Sequence, residues 1–156
     1  ELSIRAFKIP HDAVEPVGFV FNGQNTQLGV VSDVGYVTES IREHLRGSHG
    51  IYIEANYDQT LLERDTKRPL GTKQRIVSRH GHLSNTETAG LLAEIACERL
   101  SHVMLSHLSP DCNCPDLASQ TVRDQLAERG HGSVQVQCAR QDEPSDWIKI
   151  SASACV

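Results

Sequence analysis

The sequence predicts an α/β fold, or an α+β fold built from the same elements, with helices flanking a mixed β-sheet. Three apolar, strand-like runs come first, at residues 2–9, 17–21 and 27–32, and strands then alternate with helices along the chain. An Asn-Gly pair between the second and third runs is typical of a β-hairpin, so these two strands should pair antiparallel. The length of 156 residues suits one domain and no linker divides the chain, so we predict a single domain over residues 1–156.

Helix signals follow the hairpin. Thr38 can cap a helix that runs to about Arg46, and a capping box of Ser84 and Glu87 opens the clearest helix, which we expect to reach about Leu100. Pro115 lies near the first turn of a further helix. The remaining predicted elements are strands at residues 50–54, 102–106, 133–138 and 147–150 and short helices at residues 58–64 and 70–77.

Composition and charge exclude few functions. The formal net charge is −5 with acidic and basic residues interspersed, and no Lys/Arg-rich arm gives positive evidence for nucleic acid. The charge does not exclude nucleic acid either, because an enzyme can hold phosphate with a metal. No apolar run approaches the roughly 18 residues of a membrane span, so we expect no membrane partner. Five cysteines at irregular positions indicate a reducing compartment, and we expect a cytoplasmic location.

Four polar residues of metal-ligating types stand at the ends of predicted elements. His11, Asp33 and His107 each follow an apolar run, and His82 comes just before the capped helix. If the strands lie side by side, these side chains converge on one edge of the sheet, where sites of α/β proteins are found. Imidazoles and a carboxylate suit Zn²⁺, Mn²⁺ or Fe. The alternative is that Asp33 only caps a turn and that each histidine is a structural loop residue.

Local motifs at the same four positions resemble one superfamily. Residues 7–19, Phe-Lys-Ile-Pro-His-Asp-Ala-Val-Glu-Pro-Val-Gly-Phe, are similar to a segment of the metallo-β-lactamase fold hydrolases, in particular the YycJ/WalJ-like group. Residues 31–36 resemble the segment that carries the superfamily's metal-bridging Asp, and residues 79–85 resemble the group's G-H-L-S-N motif. Residues 105–109 resemble its final metal-ligand His segment. The order and spacing of these motifs agree across roughly residues 4–130.

The resemblance implies a fold, a chemistry and a set of roles. The chain would form half or most of an αββα metallo-β-lactamase sandwich and act as a phosphodiesterase or 5′-exonuclease that uses hydroxide activated by two divalent metal ions, Zn or Mn, with Fe as an alternative. His11 and His107 would each ligate one metal, and Asp33 would bridge the two. His82 would contact the scissile phosphate or protonate the leaving group. The two residues that follow it at the helix start, Ser84 and Asn85, are candidates for substrate binding.

Two departures from the group's pattern affect the interpretation. Tyr57 stands where a His is usual in the stretch Glu54-Ala55-Asn56-Tyr57-Asp58, so we assign no site role to Glu54 or Asp58. The superfamily's H-x-H-x-D-H signature is absent from this chain. The resemblance places that signature before the chain's first residue. We therefore expect the chain to be the C-terminal portion of a longer protein. Its partner would be the N-terminal half of that protein or a second copy in a homodimer, and its substrate a phosphodiester, with DNA among the candidates.

Two other functions stay open at this point. A degenerate, non-catalytic binding domain would keep the fold and lose the metals. A thioester or lactone hydrolase of the same superfamily would keep the metals and act on a different bond. The presence of all three ligand types, His11, Asp33 and His107, argues against the binding domain, and the G-H-L-S-N resemblance favours phosphodiester chemistry over thioester or lactone hydrolysis.

Overall fold

A six-stranded mixed sheet forms the centre of the protein. The computed structural model describes residues 1–151, and the strands lie side by side in the order in which they occur in the chain. They are β1 (Ser3–Lys8), β2 (Val17–Asn22), β3 (Gln27–Val31), β4 (Gly50–Glu54), β5 (His102–Ser106) and β6 (Gln135–Cys138). β1, β2 and β3 pair antiparallel, and each later strand pairs parallel with the one before it. The predicted mixed sheet and the antiparallel hairpin are confirmed.

Five helices connect or follow the strands. They are α1 (Glu39–Leu45), α2 (Gln59–Arg64), α3 (Leu70–Ile76), α4 (Asn85–Ile95) and α5 (Pro115–Glu128). None of these helices among residues 1–151 combines the length and the apolar character that crossing a lipid bilayer requires.

Side-chain caps begin three of the helices, α1, α2 and α4. The hydroxyl of Thr38 accepts a hydrogen bond from the amide of Ile41 at 3.2 Å, which caps α1. Ser84 and Glu87 form the predicted capping box at the start of α4, each side chain accepting from the other residue's backbone amide. These bonds satisfy amide groups that the first turn of a helix leaves without a partner.

Two predicted elements differ from the structure. Residues 147–150 do not form a strand: the side chain of Trp147 is fully exposed, and β6 ends the sheet. α4 ends at Ile95 and not near Leu100, because Ala96 adopts an extended conformation and the chain turns, with the amide of Leu100 donating to the carbonyl of Cys97. Apolar periodicity continued past the helix because Leu100 still packs in the core.

One face of the sheet is covered and carries the hydrophobic core. α1, α4 and α5 pack on it, and Ile41, Leu92 and Val122 from these helices are buried against the strands. The strand residues on this face alternate with residues on the other face, as the pleat requires. The buried strand residues are Phe7, Val20, Val31, Ile51, Ile53, Val103, Leu105 and Val136.

The opposite face of the sheet, called the open face from here on, is also apolar. Its register places nine apolar side chains there: Ile4, Ala6, Val17, Phe19, Phe21, Leu28, Val30, Tyr52 and Met104. Ile4 is 57% exposed and Phe19 is 37% exposed. Ile150 lies against Gly50 at one end of this face. An apolar face of this extent is the kind of surface that another layer of structure covers.

Candidate functional site

The four predicted site residues meet at the carboxyl edge of the parallel strands. Oδ1 of Asp33 lies 3.7 Å from Nε2 of His11, 3.8 Å from Nδ1 of His82 and 3.6 Å from Nδ1 of His107. The ring centroids of His82 and His107 are 4.9 Å apart. Residues that are far apart in the sequence are thus brought within a few ångströms because β3 and β5 both flank β4 and end at the same edge.

Two of these residues have an unusual backbone conformation. Asp33 has a φ of 59° and His107 a φ of 53°, both in the left-handed region that residues with a side chain seldom adopt. Each stands just beyond the end of a strand, where the chain turns sharply. Strain of this kind persists where the surrounding structure holds it, and it is concentrated at functional sites.

Glu54, which the sequence analysis left without a role, lies at the centre of the cluster. It ends β4, its side chain is fully buried, and its Oε2 lies 3.0 Å from Nδ1 of His82 and 3.3 Å from Nδ1 of His107. Its other oxygen accepts a hydrogen bond from the amide of Val34, next to Asp33. The sequence signal that could have identified Glu54 as a site residue is the one used for Asp33, a carboxylate at the end of an apolar strand.

The buried carboxylate of Glu54 and the imidazole of His107 shift each other's pKa. Burial by itself would raise the pKa of Glu54, but hydrogen bonds from His107, His82 and the Val34 amide outweigh it and hold that pKa below its ordinary value. The hydrogen bond to Glu54 raises the pKa of His107 against the opposing effect of burial, and the charge of Asp33 adds to the rise. The cluster therefore favours a carboxylate at Glu54 and a proton on the imidazole of His107.

The loop that carries His82 packs tightly against the loops of the other site residues. The amide of His82 donates to the carbonyl of Ile76 at 2.9 Å, and Nδ1 of His11 lies 3.0 Å from the carbonyl oxygen of Gly81. Gly35 has no room for a side chain, because a Cβ there would overlap the carbonyl of Arg79. Close backbone approach of this kind needs glycine and fixes the distance between the Asp33 and His82 loops.

Ser84 and Asn85 lie beside this cluster without entering it. Ser84 is occupied by the capping box, and the side chain of Asn85 is buried and exchanges hydrogen bonds with that of Asn113 at 2.9 and 2.8 Å. Both side chains therefore hold the start of α4 in place. A substrate-binding role for them stays a prediction.

Tyr57 and Asp58, which also belong to the Glu54–Asp58 stretch, are structural in their contacts. Tyr57 is buried in a small apolar cluster with Leu62 and Cys112. Asp58 caps α2, because its Oδ1 accepts from the amide of Leu61 at 3.0 Å. Tyr57, which departs from the group's pattern, thus serves packing in this chain.

A cleft of about 560 Å³ adjoins the cluster. His82 and His107 line it together with Tyr52 from the open face, so the cleft opens on that face of the sheet. Ser106 lines it as well, and its hydroxyl is buried without a hydrogen-bond partner among residues 1–151. A buried polar atom in this state indicates a contact with a group outside the described chain.

The side chains fit a divalent metal ion. The described residues contain two sets whose ligand atoms all lie within 4.8 Å of one another, one of His11, Asp33 and His82 and one of Glu54, His82 and His107. Imidazole nitrogens and carboxylate oxygens are the donors that Zn²⁺, Mn²⁺ and Fe accept. The unpartnered Ser106 hydroxyl beside them agrees with a site that takes further groups.

The chain is similar to known proteins in sequence and in fold. It is 33% identical over 132 residues to exodeoxyribonuclease YycJ of Bacillus anthracis. The aligned region covers 85% of this chain and 50% of YycJ. The metallo-β-lactamase fold protein YhfI of Bacillus subtilis superposes with a TM-score of 0.62 at 15% identity, over 89% of this chain and 46% of YhfI. Zn²⁺-bound PqqB of Methylobacterium extorquens superposes with a TM-score of 0.60 at 18% identity, over 94% of this chain and 50% of PqqB.

These similarities confirm the predicted fold class and the predicted resemblance. No protein-family model matches the chain. The chain spans about half the length of the curated relatives that it matches. The chain therefore has the metallo-β-lactamase fold and is related in sequence to the YycJ/WalJ-like exodeoxyribonucleases, of which it corresponds to about half.

Proposed function

We propose that the protein containing this chain is a metal-dependent phosphodiester hydrolase of the phosphodiesterase or 5′-exonuclease type. The observation that carries the proposal is the convergence of His11, Asp33, His82 and His107 around the buried Glu54, beside a cleft on the open face. Relatives named as exodeoxyribonucleases support this chemistry over thioester or lactone hydrolysis.

The proposed cofactors are two divalent metal ions, Zn or Mn, with Fe as an alternative. His11 and His107 would each ligate one ion, and Asp33 would bridge them, with the remaining ligands supplied by a part of the protein outside this chain. Bound divalent ions would lower the pKa of water and so supply hydroxide as the nucleophile at neutral pH. The zinc bound by PqqB, which shares the fold, supports this choice of metals.

His82 is proposed as the proton donor to the leaving oxygen. Its Nδ1 faces Glu54 at 3.0 Å, so Nδ1–H donates to the carboxylate and Nε2 remains for another partner. In the imidazolium form, Nε2–H can transfer its proton to the oxygen that leaves phosphorus. Glu54 acts through His82 and is proposed as a positioning residue, since its carboxylate accepts from Nδ1 and orients the ring.

The rest of the protein is proposed to complete the site. We propose that residues 1–156 are one domain, the C-terminal portion of the protein, and that the open face packs against the N-terminal half or against a second copy. That layer would complete the αββα sandwich and bring the missing ligands to the cleft. We propose a cytoplasmic location, supported by the odd number of cysteines and by the four free cysteines among residues 1–151.

The test is the metal content and the phosphodiesterase activity of the intact protein. The substrate is bis-(p-nitrophenyl)phosphate, and the variants are Asp33→Ala and His82→Ala. We expect Asp33→Ala to lose bound metal and activity together, and His82→Ala to keep its metal and lose about 10²–10⁴-fold in rate, the usual contribution of a general acid. Exposed Glu43→Ala serves as the control. Turnover of the Asp33→Ala variant at the parent rate would overturn the proposal, and a protein that binds no metal would favour the non-catalytic alternative.

A further inference from the structure

One hydroxyl group beside the cleft has no hydrogen-bond partner. Among residues 1–151, Oγ of Ser106 is the buried side-chain polar atom that lacks one, and the residue is 2% exposed. Burying a hydroxyl without a hydrogen bond costs free energy, and folded proteins keep few such groups. The position of Ser106 in the fold indicates what the hydroxyl is for.

Ser106 ends β5 at the edge of the sheet where the candidate site lies. It is the register partner of Glu54 in β4, and His107 follows it in the chain. The alternation of side chains along β5 places Ser106 on the open face, and the residue lines the same cleft as His82 and His107. The unpartnered hydroxyl therefore belongs to the candidate site.

The polar groups around Ser106 are already engaged with one another. One oxygen of Glu54 accepts from a backbone amide, and the other faces the two histidines of the cleft. The side-chain amide of Asn56 donates to the carbonyl of His107 at 2.8 Å, and the hydroxyl of Ser109 accepts from a backbone amide at 3.2 Å. Ser106 is thus left for a group that comes from outside the described residues.

The hydroxyl of Ser106 can turn toward the cleft without losing a contact. The χ1 angle of serine has three staggered positions, and a hydroxyl that already has a partner gives up a hydrogen bond when it changes position. Oγ of Ser106 has no such bond to give up. A bound group that accepts the O–H would remove the free-energy cost of the unpaired hydroxyl.

The lining of the cleft fits an anionic group. The described residues place no Asp or Glu side chain in it, although the chain has twenty acidic residues and a net charge of −5. The two arginines of the lining are engaged with carboxylates that lie outside it: Arg68 with Asp65 and Asp111, and Arg140 with Glu143. The hydroxyl at the end of β5 is an unengaged donor in this lining.

We propose that the hydroxyl of Ser106 donates a hydrogen bond to a non-bridging oxygen of the phosphate group that binds in the cleft. This inference rests on the proposed function and adds a substrate-binding residue to it. A hydrogen bond to a charged oxygen is stronger than one between neutral groups. Because the phosphate carries such oxygens before and during the reaction, Ser106 contributes to affinity and not to the chemical step.

A contact with the layer that covers the open face is the other use that a buried hydroxyl could have. It fits the position of Ser106 less well, because the neighbouring residues on that face, Tyr52 and Met104, offer an apolar surface to such a layer. The two uses also differ in their effect on stability. A hydroxyl that bonds to the covering layer stabilises the intact protein, whereas one that waits for phosphate does not.

The test compares Ser106→Ala with the parent in the intact protein. The quantities measured are the midpoint of urea unfolding, the bound metal, the Kd for inorganic phosphate by calorimetry, and KM and kcat for bis-(p-nitrophenyl)phosphate. The matched control is Ser48→Ala. Ser48 is also 2% exposed, but its hydroxyl accepts a hydrogen bond from Nε2 of Gln27 at 3.0 Å, at the opposite end of the strands.

For Ser106→Ala we expect the Kd for phosphate and the KM to rise at least about tenfold, the effect of losing a hydrogen bond to a charged group. The kcat should stay within about twofold of the parent value, since the bond is present before and during the reaction. The urea midpoint should stay the same or rise, and the bound metal should not change. Ser48→Ala should lower the urea midpoint and leave the phosphate Kd and the KM unchanged.

Three results would overturn the inference. One is an unchanged phosphate Kd in Ser106→Ala. Another is a urea midpoint lowered as far as in Ser48→Ala, which would assign the hydroxyl to the covering layer. The third is a loss of bound metal that accompanies the loss of phosphate binding, because the substitution would then act through the neighbouring His107.

Failure of the proposed function gives a different result. A parent protein that hydrolyses bis-(p-nitrophenyl)phosphate, with the same KM in Ser106→Ala, overturns the inference and leaves the proposed function in place. A parent protein that hydrolyses no phosphodiester, but binds inorganic phosphate through Ser106, overturns the proposed function and supports the binding role of the hydroxyl.

Discussion

The buried carboxylate of Glu54 lies 3.0 Å from Nδ1 of His82. Its second contact is with Nδ1 of His107, at 3.3 Å. Glu54, at the end of β4, thus contacts both the loop that precedes α4 and the residue that follows β5. A charge-assisted hydrogen bond of this kind sets which ring nitrogen carries the proton. Glu54 therefore determines which nitrogen of each imidazole faces the cleft.

Replacing Glu54 with Gln should lower activity without removing the fold. Gln keeps an oxygen for the Val34 amide but loses the negative charge that holds the two histidines. Partners that orient ligating side chains contribute about 10–100-fold to activity or metal affinity, so we expect a loss of that size in the rate of bis-(p-nitrophenyl)phosphate hydrolysis.

The pH–rate profile distinguishes positioning from general destabilisation. For Glu54→Gln the limb that reports His107 should move to lower pH, since the hydrogen bond with Glu54 that raises the pKa of His107 is lost. Glu43→Gln, at an exposed position, is the control. A Glu54→Gln enzyme with the parent profile and the parent rate would contradict the assignment.

Gly35→Ala should destabilise the protein and impair the site. A methyl group at this position overlaps the carbonyl of Arg79, so the Asp33 and His82 loops must move apart. We expect a loss of about 1–3 kcal/mol in the free energy of unfolding, measured by urea denaturation, and a fall in activity that exceeds what the unfolded fraction explains.

Gly90→Ala provides the matched control for that substitution. Gly90 lies within α4, and a Cβ there meets no other atom within 4 Å. Alanine favours the helix over glycine, so stability should rise by about 0.5–1 kcal/mol with no change in activity. Equal effects of the two substitutions would show that the Gly35 contact is unimportant.

Tyr57 should make the protein sensitive to high pH. Burial, followed by the nearby charge of Glu87, raises the pKa of its phenol to about 12, above the ordinary value of 10.0. The neutral form is thus favoured in the folded state, and the associated stability is fully present below pH 10 and is lost as pH rises through 12. A shift of this size corresponds to about 2–3 kcal/mol.

Tyr57→Phe should flatten this loss of stability. Urea denaturation at steps between pH 9 and pH 11.5 would show a shallower decline for the variant than for the parent, because Phe has no proton to release. Tyr36→Phe, which removes a hydroxyl from a half-buried ring outside this cluster, is the matched comparison for the loss of a phenol. A decline as steep in Tyr57→Phe as in the parent would refute the explanation.

The chain expressed by itself should hold metal weakly, hydrolyse little and associate through the open face. Phe19→Asp places a charge on this apolar surface and should shift sedimentation toward monomer at a given concentration. Val14→Asp is the control, because Val14 is 97% exposed in a loop outside the sheet. Full activity of the isolated chain, or equal sedimentation of the two variants, would contradict the expectation.

Local sequence signals predicted the elements and their order. The Asn-Gly turn, the Thr38 cap and the Ser84–Glu87 capping box act within a few residues, so their consequences are readable without the rest of the chain. The same holds for His11, Asp33 and His107, each placed just beyond an apolar run. The signals failed where the tertiary structure overrode periodicity, as at the end of α4 and at residues 147–150, which remain outside the sheet.

By itself the sequence determined the fold class, the hairpin and the four side chains that meet at the sheet edge. Only the tertiary structure decided that Glu54 is fully buried between His82 and His107, that residues 1–151 leave one apolar face of the sheet open, and that the His82 loop packs against the His11 loop. The physical reason is that strand order and register bring residue 54 beside residue 107, and loop hydrogen bonds bring residue 82 to both, although the three are far apart in sequence. Apolar periodicity in the sequence predicts which residues face inward. The order and register of the strands determine which of those residues are in contact.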